Sequence, residues 1–323
     1  MDLKTQYMGL ELKNPVVVSA SGLTSSADGV KKAIEAGAGA VVLNSLFEED
    51  IAAAVGDAGV TTASIHPEAE VYAKHMGMLL QPDSYLELVE RSVGEVPVIA
   101  SLNCYSKKWW VDYAQRLENV GANALELNLA PMALDSRTTA AKLEDELVEM
   151  VYLAREAVTL PLSVKIGHSF TSLPHLATRL ESAGANSLTL FNRYYNVDID
   201  IENVSFQSGN SLSSPQEFGP VLRWVGILSD TVEMDVAAST GLDGAKELIK
   251  ALLAGANVGQ FCSTLYRNGL KQIGVILDEL SEWMENHGYE NISDFYSLLS
   301  LNDDQRDAFY HRLQYVKALK GKR

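Results

Sequence analysis

The chain has 323 residues, 47% of them hydrophobic, with 42 acidic against 26 basic side chains and a formal charge of −16. That length suits one large α/β barrel with insertions or two smaller domains, and no run approaches the roughly 18 apolar residues of a membrane span. So acidic a chain is a poor ligand for polyanions, which excludes nucleic acid and acidic membrane as principal partners and requires any phosphate to be held locally.

The amino-terminal stretch MDLKTQYMGLELKNP has neither the apolar run and cleavage site of a secretory signal nor the arginines of a transit peptide, so a cytoplasmic location is expected. Within it, LKTQYMGLELKN alternates around Met8-Gly9 and predicts a short hairpin closing the bottom of the fold. Four times thereafter a helical stretch ends in a small-residue hinge and passes into a short apolar strand: EAGAGAVVLNS (35–45), VGANALELNLA (120–130), SAGANSLTLFN (182–192) and LAGANVGQFCST (253–264). A glycine in each can take the left-handed conformation that ends a helix. PVVVSAS (15–21), PVIASLN (97–103), PLSVKIG (161–167) and VEMDVAAST (232–240) bring the strands to eight.

Near-continuous apolar strands alternating with amphipathic helices imply a parallel sheet covered on both faces, and eight units imply closure. The predicted fold class is therefore α/β, a (β/α)₈ barrel with an N-terminal hairpin, ahead of an open doubly wound sheet because no GxGxxG follows the first strand. Two connections, 46–84 and 193–218, are long enough to be lid or insertion loops at the carboxyl end. LKQIGVILDELSEWMENHGY predicts an amphipathic helix ending near Gly288, and 297–323 a helical tail closing in the solvated basic stretch VKALKGKR. The whole chain, 1–323, reads as a single domain.

In a barrel, functional groups sit at the carboxyl ends of the strands. Those ends carry Ser19-Ala20-Ser21-Gly22, Asn44-Ser45, Asn103-Cys104, Asn128, Lys165, Asn192-Arg193, Ser239-Thr240-Gly241 and Ser263-Thr264. Any one asparagine is explained by turn formation, whereas four strands ending in asparagine suit a flat, amide-rich ligand such as a flavin ring or a pyrimidine. Lys165 stands alone in an apolar strand. It needs a counter-charge or an electron-rich partner such as the N1/O2 edge of a flavin, unless it snorkels to solvent. Glu126 alternates with Asn128 and reads as a structural carboxylate bonded to a Lys or Ser of the next strand. The small residues ending the last two strands leave room for backbone N–H groups to hold a phosphate.

Cys104 and Cys262 read as reduced thiols, and His66, His75 and His168 form no ligand pattern, so no metal site is expected. KKWW (107–110) reads as helix surface and packing.

Taken together, NPVVVSASG, ALELNL, SVKI and WMENHGYENISDFYS are similar to an Asn-Pro strand closing in Ala-Ser-Gly, an E-L-N-L-S-C-P-N motif, a V-K-L strand and the late helical region of one family. Up to about residue 296 the chain resembles the dihydroorotate dehydrogenases, FMN-dependent barrels of pyrimidine synthesis, and most resembles a dihydroorotate dehydrogenase-like branch. The resemblance implies FMN contacts from Ala20, Ser21, Gly22, Asn44, Ser45, Asn103, Asn128 and Lys165, with the phosphate against Gly241, Ser263 and Thr264. It implies a dihydroorotate-like substrate held by Asn128 and Asn192, and a homodimer.

The sequence departs from the family in its loops. The catalytic Cys or Ser position falls at Ala130/Pro131, which cannot accept a proton, leaving Asp135 and Ser136 of the same loop as candidates. The family's lysine after the second strand is Asn44. Ala-Ser-Thr-Gly (238–241) replaces Gly-x-Gly-Gly, and HPEAEVYAKHMGML shows no counterpart of the N-S-M-G-L-P-N loop. The expectation is an FMN-dependent oxidoreductase. The alternatives are a flavin-dependent reductase of another unsaturated substrate, or a non-catalytic ligand-binding barrel.

Overall fold

A computed structural model of the chain describes residues 1–55, 82–103, 107–129, 131, 136–193, 197–209, 212–301 and 308–321. It opens with an antiparallel hairpin, β1 (Thr5–Tyr7) and β2 (Leu10–Leu12), turning at Met8 and Gly9, whose φ angles are 55° and 74°. This is the mirror-image turn whose twist matches paired strands. There follow β3 (Val16–Val18), α1 (Ala27–Glu35), β4 (Ala40–Val42), β5 (Leu46–Phe47), α2 (Glu48–Val55), α3 (Pro82–Ser92), β6 (Val98–Asn103), α4 (Lys107–Asn119) and β7 (Ala124–Leu129). Next come α5 (Ala140–Ala157), β8 (Leu162–Ile166), α6 (Leu173–Ser182), β9 (Ser187–Leu190), β10 (Val197–Asp200), β11 (Ser205–Ser208) and α7 (Phe218–Leu228). The chain ends with β12 (Asp235–Ser239), α8 (Ala245–Leu253), β13 (Val258–Phe261), α9 (Ser263–Asn268), α10 (Gln272–His287) and α11 (Ala308–Lys320).

Eight parallel strands close in the order β3-β4-β6-β7-β8-β9-β12-β13, with β13 pairing back onto β3. The fold is the (β/α)₈ barrel the repeats predict. Its recurring corner has a physical cause. Gly37, Gly121, Gly184 and Gly255 have φ of 107°, 94°, 101° and 103°. After each, the alanine N–H returns to a carbonyl five residues back, Ala38 to Ala33, Ala122 to Leu117, Ala185 to Leu180 and Ala256 to Ala251. That is the Schellman closure, which stops a helix and redirects the chain into a strand.

Two expectations need correction. The second barrel strand does not end at Asn44-Ser45: β4 stops at Val42, and β5 resumes against the same neighbour with Leu46 beside Leu102. Val42 faces Ile99, so four residues on one side span three on the other, a bulge with Asn44 and Ser45 inside it. Part of the 46–84 connection is therefore strand and helix, with its residues 56–81 outside those described. Nor is 297–323 helical from its start. Residues 297–299 form a turn, with φ of 60° at Ser297, and Ser297, Leu299 and Leu301 donate N–H bonds to the carbonyls of Leu252 and Leu253 on α8 and Gly226 on α7; the helix described in this tail is Ala308–Lys320.

Side chains of a barrel strand alternate between the lumen and the helix layer. Val16, Val18, Leu125, Leu127, Val164 and Ile166 pack outward against the helices. Val17, Ala40, Ile99, Ala124, Ala237 and Val258 point inward, and the hairpin's Tyr7, Met8 and Leu12 pack onto them from below. Inside, the Tyr7 hydroxyl lies 3.2 Å from Ser163 Oγ and accepts from Ser187 Oγ at 3.0 Å. Burial, with Glu126 adding to it, pushes the phenol up to about 12. The hairpin closes the bottom of the barrel. No described helix is long and apolar enough to cross a membrane.

Candidate functional site

Further along the inward rows, on every strand but β4, where Val42 follows Ala40, the lumen is polar. Ser19, Ser101, Glu126, Lys165, Thr189 and Gln260 form this layer, and none is more than 6% exposed. Lys165 Nζ donates to Ser19 Oγ (3.1 Å), Gln260 Oε1 (3.3 Å) and Glu126 Oε1 (3.4 Å), one acceptor for each ammonium proton. The other oxygen of Glu126 accepts from Gln260 Nε2 at 2.7 Å and Thr189 Oγ1 at 3.4 Å. The Glu126 carboxylate is therefore structural, as its alternation predicts, and Lys165 does not snorkel. A buried ion pair persists only with its remaining hydrogen bonds met, and this one has them.

Above this layer stand the carboxamides. Asn128 lies in register with Lys165. Asn192, placed by its own N–H bond to the Ile166 carbonyl (2.7 Å), donates Nδ2 to Asn128 Oδ1 at 2.8 Å. Asn103 is half-buried at the end of β6. In the bulge, Asn44 and Ser45 are buried, and Ser45 Oγ lies 2.8 Å from Ser101 Oγ. At the first strand's end Ala20 and Ser21 are half-buried, and Ser21 Oγ donates to the Ser19 carbonyl at 3.2 Å. A side chain at Gly22 would stand 2.8 Å from the Tyr266 hydroxyl. Half-buried Cys262 ends β13, and burial pushes its thiol up against the opposing pull of the Lys165 charge and a hydrogen bond with Ser21.

A second group lies at the ends of β12 and β13. Gly241 has φ of 76°, and a Cβ there would collide with the backbone of Phe218, so the packing of α7 by itself requires glycine. Its N–H donates to Ser213 Oγ at 3.3 Å, and Ser213 donates from N (2.9 Å) and Oγ (3.0 Å) to Ser263 Oγ. Thr264 is buried with its hydroxyl donating to the Asp243 carbonyl at 2.8 Å.

The structure thus links Ser19 with Ser21 and Lys165, Asn128 with Asn192, and Gly241 with Ser263 through Ser213, all at the carboxyl ends of the strands. Of the loop after β7, Pro131 is half-buried and Ser136 exposed, while Ala130 and Asp135 lie outside the described residues. His168 is exposed, edge-on to Phe191 at 6.2 Å. Cys104, His66, His75 and the KKWW side chains also lie outside the described residues. Gln260, Thr189, Ser101 and Ser213 escaped the sequence reading. For Gln260 and Ser101 the signal was present, a polar residue two places from inward Val258 and Ile99, and for Thr189 it was the alternation of Ser187 and Thr189 with leucines in SLTL.

A closed parallel barrel with an apolar plug below, an ion-paired polar layer within and carboxamides at its carboxyl rim is the class of barrel that presents a small-molecule site at that end. Residues 2–284 match the family model described as dihydroorotate dehydrogenase, and the chain belongs to that family. It is similar to the dihydroorotate dehydrogenase B (NAD(+)) catalytic subunit of Pyrococcus abyssi, 24% identical over 302 residues covering 92% of this chain and 98% of that one. The corresponding subunit of Methanothermobacter thermautotrophicus is 25% identical over 310 residues, covering 92% and 98%. Dihydroorotate dehydrogenase A (fumarate) of Limosilactobacillus reuteri is 21% identical over 304 residues, covering 92% and 97%.

Proposed function

We propose that the carboxyl rim of the barrel binds FMN and that the protein is an FMN-dependent oxidoreductase of a dihydroorotate-like CH–CH bond, acting in the cytoplasm in pyrimidine synthesis. The observation that carries this reading is Lys165, an ammonium only 6% exposed whose residue lies in register with Asn128 at the carboxyl end of the strands. The donor set fits the group. Its three contacts, 3.1 to 3.4 Å, lie at the long end of hydrogen bonding, so exchanging one for an electron-rich ring edge costs little. Ala20, Ser21 and Gly22 are small enough to border a flat ring, with Asn44, Ser45, Asn103 and Asn128 around it. Gly241, Ser263 and Thr264 are assigned to the phosphate.

Bound FMN supplies a hydride acceptor at N5. The chain's own part is positioning and charge. Asn128 and Asn192, each fixing the other's carboxamide, orient the substrate's amide and carboxylate groups. Lys165 places positive charge where the ring becomes electron-rich, and Glu126, Gln260 and Ser19 keep that ammonium in place. The C5 proton must leave to a base, worth ~10²- to 10⁴-fold in rate. With proline at the described family position, that task falls to Asp135, Ser136 or water. This departure also supports a second reading, a flavin-dependent reductase of another unsaturated substrate.

The purified protein should be yellow, and dihydroorotate added anaerobically should bleach it. A colourless protein that neither quenches nor is stabilised by added FMN would rule out the cofactor. A yellow protein that stays oxidised under dihydroorotate would rule out the substrate and leave the second reading.

A further inference from the structure

On the helix layer outside the barrel, α1 and the end of α3 enclose a groove of about 540 Å³ that shares no residue with the rim. Val30 and Ile34 of α1 and Val93, just past α3, give it an apolar wall. That volume, and an apolar wall with a few polar groups around it, are what small-molecule sites are built from.

Some of its polar groups are already in use. Asp28 Oδ2 lies 2.6 Å from Lys32 Nζ, and Lys31 Nζ lies 3.8 Å from Glu35 Oε1, both pairs along α1 itself. Arg91 and Glu95, also lining the groove, make no ion pair among the described residues. Ser92 lines it too, only 7% exposed, and its Oγ has no hydrogen-bond partner among the described residues. Helix α3 also ends without the closure of the four glycine corners. Val93 returns its N–H to the Val89 carbonyl, but those of Glu90, Arg91 and Ser92 accept no hydrogen bond among the described residues. The negative end of that helix therefore stands uncapped beside the groove.

We infer that the groove binds a free α-amino acid with an apolar side chain. Its carboxylate meets Arg91, its ammonium meets Glu95 and the terminal carbonyls of α3, and its side chain lies on Val30, Ile34 and Val93. The Ser92 hydroxyl then has a polar group to bond, as a buried hydroxyl requires. A ligand charged with one sign only would meet like charge from either Arg91 or Glu95, so the groove selects for both charges on one small molecule. The inference is independent of the rim and of the flavin.

Isothermal titration of the full chain with L-leucine and L-phenylalanine tests it. At least one should bind saturably, one molecule per chain, with a Kd of about 1 mM or tighter. Phenethylamine and 3-phenylpropanoate, which keep the body of phenylalanine and lose one charge each, should bind about threefold or more weakly than the amino acid. Arg91→Gln and, separately, Glu95→Gln should each weaken binding of the amino acid about three- to tenfold. Arg91→Gln should in addition abolish the preference for phenylalanine over phenethylamine, a change of selectivity that loss of folding does not produce. Both side chains are exposed, and circular dichroism checks that the variants fold. No saturable binding of either amino acid up to about 10 mM, an affinity left unchanged by either variant, or an amine or acid bound as tightly as the amino acid by the wild type would overturn the inference.

Discussion

Lys165 and Glu126 are both removed from water, so each is tolerable only while the other is present. Lys165→Met should leave the Glu126 carboxylate with hydroxyl and amide donors but no counter-charge, costing ~3–5 kcal/mol in urea unfolding. Adding Glu126→Gln should recover most of that loss. The double variant then folds without the ammonium, and on the flavin reading it binds FMN more weakly or is reduced more slowly. Full affinity and rate in a stable double variant would remove Lys165 from the cofactor site. Asp50 presents the unpaired case. It is 6% exposed, its Oδ2 lacks a hydrogen-bond partner among the described residues, and burial pushes its carboxyl from 3.8 up to about 7, the Phe47 N–H opposing and Glu49 adding a smaller push. A raised carboxyl holds its proton in the fold after the unfolded chain has released its own. The group therefore costs stability progressively from about pH 4 to pH 7, and the full penalty stands above that. Asp50→Asn should gain about 2–4 kcal/mol at pH 8 and almost nothing at pH 4, read from denaturation midpoints. An equal gain at both pH values would show that ionisation is not the cause.

At the scale of elements, what the sequence reveals depends on whether a conformation needs a particular residue type. The four Schellman corners do, so Gly37, Gly121, Gly184 and Gly255 announce the barrel units. The bulge at 43–45 does not, because an extra residue between parallel strands requires no special side chain, and Asn44-Ser45 therefore reads as a strand end. Likewise 297–301 is turn and loop rather than helix because three of its N–H groups find carbonyls on α7 and α8, partners that no local pattern discloses. In the site, Lys165 and Glu126 stand out as charges in apolar strands, while the partners of Gln260, 71 and more residues away, and of Ser213, 28 and 50 residues away, are set by the fold. Gly241 is legible as a glycine needed at a strand end, but its packing reason comes from Phe218. Gly241→Ala should accordingly destabilise the fold by ~1–3 kcal/mol even without cofactor, through positive φ and collision with α7. Thermal unfolding of the ligand-free protein measures this, and an unchanged midpoint would show that the packing against α7 does not require glycine there.

Across the whole molecule the barrel separates two jobs along its axis. The hairpin plug, the ion-paired layer and the carboxamide rim are positioned by the strands, whereas on the proposed reading proton transfer falls to the loop after β7. Binding and base chemistry are therefore separable by substitution in that loop. Pro131 is half-buried just beyond β7, two residues past Leu129, so a thiol there is the least invasive way to place a proton acceptor at the position where the family carries one. If FMN and a dihydroorotate-like substrate already lie on the rim, Pro131→Cys should raise the rate of flavin bleaching by dihydroorotate ~10²- to 10⁴-fold, with little change in FMN affinity. The rate should climb with pH as the thiol ionises, a profile that Pro131→Ala must lack. Should Pro131→Cys bind FMN as before yet bleach no faster, the rim is not shaped for dihydroorotate, and the loop has diverged together with the substrate it serves.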